Sequence, residues 1–244
     1  MINNIYFDSL YFEVKNTFKS FYFEKKEFQD SFSRLKLHLP QITIPQITTI
    51  VSGFYNDVVV VDNNIIIGLD YFLDQDSKFK PQDIPDYILK RYSPDNLVPI
   101  TMSVYCSQFN KINSLDNTMI SEMLNFGKLY YLLQTILPCE NPEKLIGYSK
   151  EEWDLVNQNE EIIYSVFVDK QLFFETNHLI KNKYLSDRPK TFEISPSCPG
   201  RIGAWLGWKI IDSYMQKNPK ITIKELLNNT NNKEIFFQSL YKPS

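Results

Sequence analysis

The chain has 244 residues, a net charge of −3, and 43% hydrophobic residues that include 18 Phe and 15 Tyr. That is apolar material for one large domain or two small ones. It lacks the clustered positive charge that tracking a nucleic-acid backbone requires. Three cysteines, Cys106, Cys139 and Cys198, without a CxxC pair exclude a disulfide scaffold and a cysteine-based zinc cluster. Their odd number leaves at least one thiol free or paired with another chain.

From the N-terminus, apolar residues at Leu10, Val14, Phe18, Phe21 and Phe28 predict an amphipathic helix over 5–33, broken near Phe21. The start, Met1-Ile-Asn-Asn-Ile-Tyr, has neither a basic head nor an apolar run of signal-peptide length. Taken alone it reads as cytoplasmic, or as a chain without its targeting segment. No stretch reaches the length of a membrane span.

A sheet region follows over 41–70. Residues 46–52 are β-branched and read as a strand. Val58–Val61 and Ile65–Ile67, joined by Asp62-Asn63-Asn64, read as a hairpin. From residue 83 the pattern is helical to the end. Short helices are expected over 85–92 and 98–110, then a long one over 116–137 with Asn117-Thr118 at its start and Pro138 at its end. Ser149-Lys-Glu-Glu152 is a capping-box signature opening a helix to about Lys170, and Thr222-Ile-Lys-Glu225 is a second, before a short final helix. Another helix is expected between them over Gly203–Asn218, ended by Asn218-Pro219. The expected fold is α+β: one domain over 1–244, its small sheet packed on a mostly helical body.

Catalytic spacings are missing. His38 and His178 form no HExxH motif, and there is no GxSxG elbow or phosphate-binding loop. Acidic groups crowd Glu151, Glu152, Asp154, Glu160 and Glu161, and Asp70, Asp74 and Asp76 follow the hairpin. A solvated face accounts for them more simply than acid–base or metal chemistry. No cofactor is expected. An acidic site with a metal near Glu122 or Glu160, as in a hydrolase, stays open as the alternative.

The least ordinary segment is Ser195-Pro-Ser-Cys-Pro-Gly-Arg-Ile-Gly-Ala-Trp-Leu-Gly-Trp208. Gly203 and Gly207 share a helix face, where absent side chains permit close backbone approach. Arg201 sits near a helix start and is suited to holding a carboxylate or orienting the loop. Two readings stay open: a tightly packed helix entry, or a partner groove lined by Arg201, Trp205 and Trp208.

An ordered set of short segments carries a family resemblance. They are Gly68-Leu-Asp70-Tyr71-Phe-Leu73, Gly127-Lys128-Leu-Tyr-Tyr131, Pro138, Ile146-Gly-Tyr-Ser149, Asn159-Glu160, Cys198-Pro-Gly200-Arg201-Ile-Gly203, Gly207-Trp208 and Ser239-Leu-Tyr-Lys-Pro243. Across roughly residues 45–243 this set resembles the gliding motility lipoprotein GldB family of Bacteroidetes. The resemblance implies a cell-envelope lipoprotein on the periplasmic side, with partners in the motility and secretion machinery. It also implies a distant, degenerate likeness to zincin-type HExxH proteases. On that likeness Phe126 of Asn125-Phe-Gly-Lys128 stands where a metal-binding carboxylate belongs, and Val104-Tyr-Cys-Ser-Gln108 stands where the histidines do. A pseudo-peptidase that binds partners is therefore expected, not an enzyme. The lipoprotein signal and acylated cysteine that the resemblance implies do not show in the opening residues, and Cys198 stands where the family has serine. The candidate partner-binding residues are Asp70, Tyr71, Gly127, Lys128, Glu160, Gly200, Arg201, Trp205 and Trp208.

Overall fold

The apolar spacing that predicts one broken helix produces two, α1 (Ile5–Thr17) and α2 (Tyr22–His38). They part at Phe21, whose φ of 48° lies in the left-handed region that interrupts a right-handed helix. α1 buries Leu10 and Val14, and α2 buries Phe28, Phe32 and Leu35. These positions are three and four residues apart, so each helix presents one apolar stripe. The computed structural model describes residues 5–243. The first four residues, on which the reading of the N-terminus partly rests, lie outside them.

Three strands follow: β1 (Gln46–Ile50), β2 (Val58–Val61) and β3 (Asn64–Gly68). Their order is β1-β3-β2, with β2 and β3 antiparallel and β1 parallel to β3. Asp62 makes the hairpin turn at φ 50°, a conformation that Asp accepts better than most side chains. Ile65 and Ile67 are fully buried on one face. Ile47 pairs in register with Ile65 and so shares that face. β1 is left on the outside of the sheet with one edge unpaired among the described residues.

Two short helices, α3 (Asp86–Leu89) and α4 (Leu97–Cys106), come next. The chain divides into two compact units, with the boundary after Tyr105 at the end of α4. In the second unit the described α-helices are α5 (Met119–Ile136), α6 (Pro142–Ile146), α7 (Lys150–Gln158), α8 (Glu160–Asp169), α9 (His178–Leu185), α10 (Ile202–Lys217), α11 (Ile223–Asn228) and α12 (Asn232–Ser239). Both capping boxes form, Ser149 with Glu152 and Thr222 with Glu225. The helix expected from 149 to 170 is two, because Asn159 turns to φ −114° between α7 and α8. The final helix is likewise two, α11 and α12. α6 and α9 have no counterpart in the sequence reading. Asn177 caps α9 by accepting the Leu179 N–H at 2.9 Å.

The second unit is organised around the crossing of α5 and α10. A Cβ built on Gly207 would stand 2.0 Å from the Met123 carbonyl oxygen, and one on Gly127 would stand 2.4 Å from the Gly207 oxygen. No side chain larger than hydrogen fits at either place, so the two backbones touch. With its small sheet and helical majority the protein is α+β.

Candidate binding cleft

The sequence-predicted residues fall in both units: Asp70 and Tyr71 in the first, the other seven in the second. Asp70 follows β3 in a single helical turn, Leu69–Phe72, and is 1% exposed. Its carboxylate accepts the N–H groups of Ser52 (2.9 Å) and Phe54 (2.5 Å) and the Ser52 hydroxyl (3.1 Å). A buried carboxylate needs such donors, and these draw the β1–β2 loop onto the end of β3. Gly68 helps, since a Cβ there would stand 2.1 Å from the Asn56 carbonyl oxygen.

Tyr71 donates to the Phe54 carbonyl at 2.6 Å, and its ring lies 5.7 Å from those of Phe54 and Tyr92. Tyr92 donates to Asp57 at 2.5 Å. Burial raises the pKa of both phenols, and the neighbouring Asp57 charge adds to it, so both stay protonated at neutral pH. This aromatic cluster floors a cavity of about 290 Å³ lined by Tyr71, Phe79, Tyr92, Lys80, Lys90 and Asp86, among others. A wider recess of about 910 Å³ shares Tyr71, Phe79 and Lys80 and continues to Ile5 and Tyr6 of α1. Lys80, Asp86 and Lys90 are exposed at the rim. Neither lysine makes an ion pair among the described residues. Of these residues the sequence reading singled out only Asp70 and Tyr71. Phe79, Lys80, Asp86, Lys90 and Tyr92 lie on a stretch without motif, where the signal is the spacing of aromatic residues beside lysines.

In the second unit the predicted residues bind helices to one another. Arg201 takes φ 58° just before α10. Its guanidinium donates to the Ile146 carbonyl (3.0 Å) and the Tyr130 hydroxyl, with Asp187 at 3.6 Å. Tyr148 donates to the Gly200 carbonyl at 2.7 Å. A Cβ on Gly200 would meet the Arg188 carbonyl oxygen at 2.1 Å. Trp205 is fully buried, and Trp208, also buried, lies 5.3 Å from the Tyr130 ring and 5.7 Å from that of Trp153. The groove imagined between Arg201 and the tryptophans is filled by these contacts.

Lys128, on α5, is also fully buried. It donates to the Asn229 carbonyl at 2.6 Å, in the turn between α11 and α12, and burial pulls its pKa down to about 8. Glu160 is buried too. It pairs with Lys209 at 2.9 Å and accepts from Tyr241 at 2.6 Å. Glu122 pairs with Lys181. The two carboxylates of the alternative metal reading therefore each hold a lysine. Among the described residues no group of three His, Cys, Asp or Glu is placed to hold a metal ion. Burial pushes the Cys198 thiol up to about 12, which leaves it unionised at neutral pH.

The family model for gliding motility protein GldB matches residues 1–243, and the chain belongs to that family. No curated protein and no solved structure matches the chain. No helix of the described residues is long and apolar enough to cross a membrane.

Proposed function

We propose that this member of the gliding motility protein GldB family is a non-enzymatic component of the cell envelope. In this reading it holds a protein of the motility or secretion machinery in the Tyr71 cleft of its first unit. The observation that carries the reading is the build of that cleft. Rings of Tyr71, Phe79 and Tyr92 form the floor, while Lys80, Lys90 and Asp86 stand at the rim. An aromatic centre inside a polar rim is the usual composition of a protein-recognition patch. The loop beside it is fixed in advance by Asp70, which lowers the ordering cost of binding. The protonated phenols supply hydrogen bonds and stacking area, not a base or nucleophile.

The family membership supports placement in the envelope and a machinery partner. The test replaces rim charges that touch no structural hydrogen bond. Lys80→Glu and Lys90→Glu are expected to keep the melting temperature of the parent protein. They are expected to lose capture of a defined envelope protein from a gliding bacterium and to fail in restoring gliding to a deletion strain. Retention of both by the double variant would remove the cleft from the proposal.

A further inference from the structure

A second surface of the first unit has the makings of a strand-addition site. β1 is the outer strand of the sheet, and the direction of its hydrogen bonds can be followed residue by residue. Gln46 donates its N–H to the Asn63 carbonyl at 2.9 Å. In a parallel ladder alternate residues face the neighbour, so Gln46, Thr48 and Ile50 turn toward β3. Ile47 and Thr49 therefore turn their N–H and C=O groups to the open edge. An open edge of this kind is a template for a further strand.

Beside that edge runs an apolar groove of about 440 Å³. Its walls are Phe21, Phe28 and Phe32 from the α2 side and Ile44, Pro45, Ile47 and Thr49 from the β1 side. Phe28 and Phe32 face it with rings 6.4 Å apart and stacked. A groove between an edge strand and a helix suits an extended peptide, which pairs its backbone with the strand and sends alternate side chains into the groove. A helix laid in the same place would leave the outward groups of Ile47 and Thr49 unpaired.

Charge narrows the occupant. Lys25 is the one charged residue lining the groove among the described residues, and it makes no ion pair there. The chain from Leu39 to Asn56 carries no charged residue at all. A second copy pairing β1 against β1 would thus set each Lys25 against an uncharged strand. We infer that the α2–β1 groove takes an extended segment of a partner protein, with apolar side chains at alternate positions and an acidic side chain opposite Lys25. This site shares no lining residue with the Tyr71 cleft, so the two readings stand or fall apart.

The test uses the full chain and a display library of random short peptides, selected on the parent protein and counter-selected on Thr49→Pro. Proline removes the outward N–H of residue 49 and is tolerated on an edge strand, since no bond to β3 is lost. Enriched peptides should alternate apolar residues and contain an acidic one. Fluorescence anisotropy with the synthesised peptides should show affinity falling about tenfold or more in Thr49→Pro and in Lys25→Glu. Lys80→Glu should leave it unchanged. Lys25 is a surface residue, so its variant keeps the test valid if proline disturbs the strand. No enrichment, affinity unchanged from the parent protein in Thr49→Pro or in Lys25→Glu, or peptides that bind as helices by circular dichroism would overturn the inference. So would a concentration-dependent dimer that Thr49→Pro abolishes and the peptides do not displace.

Discussion

The two units use charge in opposite ways. In the first, Lys25, Lys80, Asp86 and Lys90 stand in water beside aromatic surface. In the second, Lys128, Lys181, Glu160 and Arg201 lie among helices, and each meets a specific acceptor or counter-charge. A buried charge that is matched holds neighbouring elements in one arrangement, whereas an exposed one beside rings is available to something that arrives. The segment with the most unusual composition, Gly200–Trp208, belongs to the first kind of use. Its oddity records three close approaches, of Gly207 to α5, Gly203 to α9 and Gly200 to the Arg188 carbonyl. Lys80, Asp86 and Lys90, on the plainer stretch that leads to Tyr92, belong to the second.

That contrast breaks most sharply at Gly207. A methyl group there would collide with the Met123 carbonyl at 2.0 Å, which is backbone and cannot swing away. Gly207→Ala should force the helices apart and cost about 3 kcal/mol or more, at the upper end of overpacking effects. Chemical denaturation followed by far-UV circular dichroism measures it. A loss below about 1 kcal/mol would mean that the crossing is looser than the contact indicates.

In the first unit the corresponding anchor is Asp70, and the expected loss is smaller. Asn in its place keeps one acceptor but sets an amide NH₂ against the N–H of Ser52 or Phe54. Asp70→Asn should cost about 2 kcal/mol, the worth of a charge-assisted hydrogen bond with one buried donor left unpaired. Hydrogen exchange at the Ser52 and Phe54 amides should rise together with it. Unchanged exchange at those amides would show that the loop is held by Tyr71 and Gly68 instead.

Much of the local structure was legible where both partners of an interaction lie within a few residues. The hairpin showed in Val58–Val61 and Ile65–Ile67 around Asp62-Asn63, and the capping boxes in Ser149 with Glu152 and Thr222 with Glu225. Gly203 and Gly207, four apart, correctly signalled a close approach on α10. What Gly207 approaches, Met123 on α5, is some eighty residues away, while Gly203 closes on Leu185 and Tyr184 of α9, and no periodicity points to either. The split at Asn159 was hidden because its own neighbours keep helical spacing across the break. For Trp205 and Trp208 the sequence left packing and an interface both open, because indole rings suit either, and both are buried, Trp208 between Tyr130 and Trp153. The cleft was half legible. Asp70 and Tyr71 stand out in the sequence, but Tyr92 meets Tyr71 and donates to Asp57 through contacts that only the folded chain creates.

The smallest expected effect sharpens the comparison through pH. Lys128 has an ordinary pKa of 10.5 and is brought down to about 8 by burial in the folded chain. Between those values the unfolded chain holds a proton that the native state has released. Stability contributed by this residue therefore rises with pH from about 8 to 10.5, because the cost of the buried charge disappears first from the native state. Lys128→Met removes the titration, and near neutral pH it should be close to the parent in stability, since an apolar residue of similar length replaces a buried charge with one acceptor. Urea unfolding of both proteins should show the parent gaining roughly 1–2 kcal/mol on the variant between about pH 7 and pH 9.5. Comparing the two proteins cancels the tyrosines, whose raised pKa values work in the opposite sense above pH 10. A constant difference across that range would mean that Lys128 is solvated, and that the second unit does not bury its charges as the first exposes them.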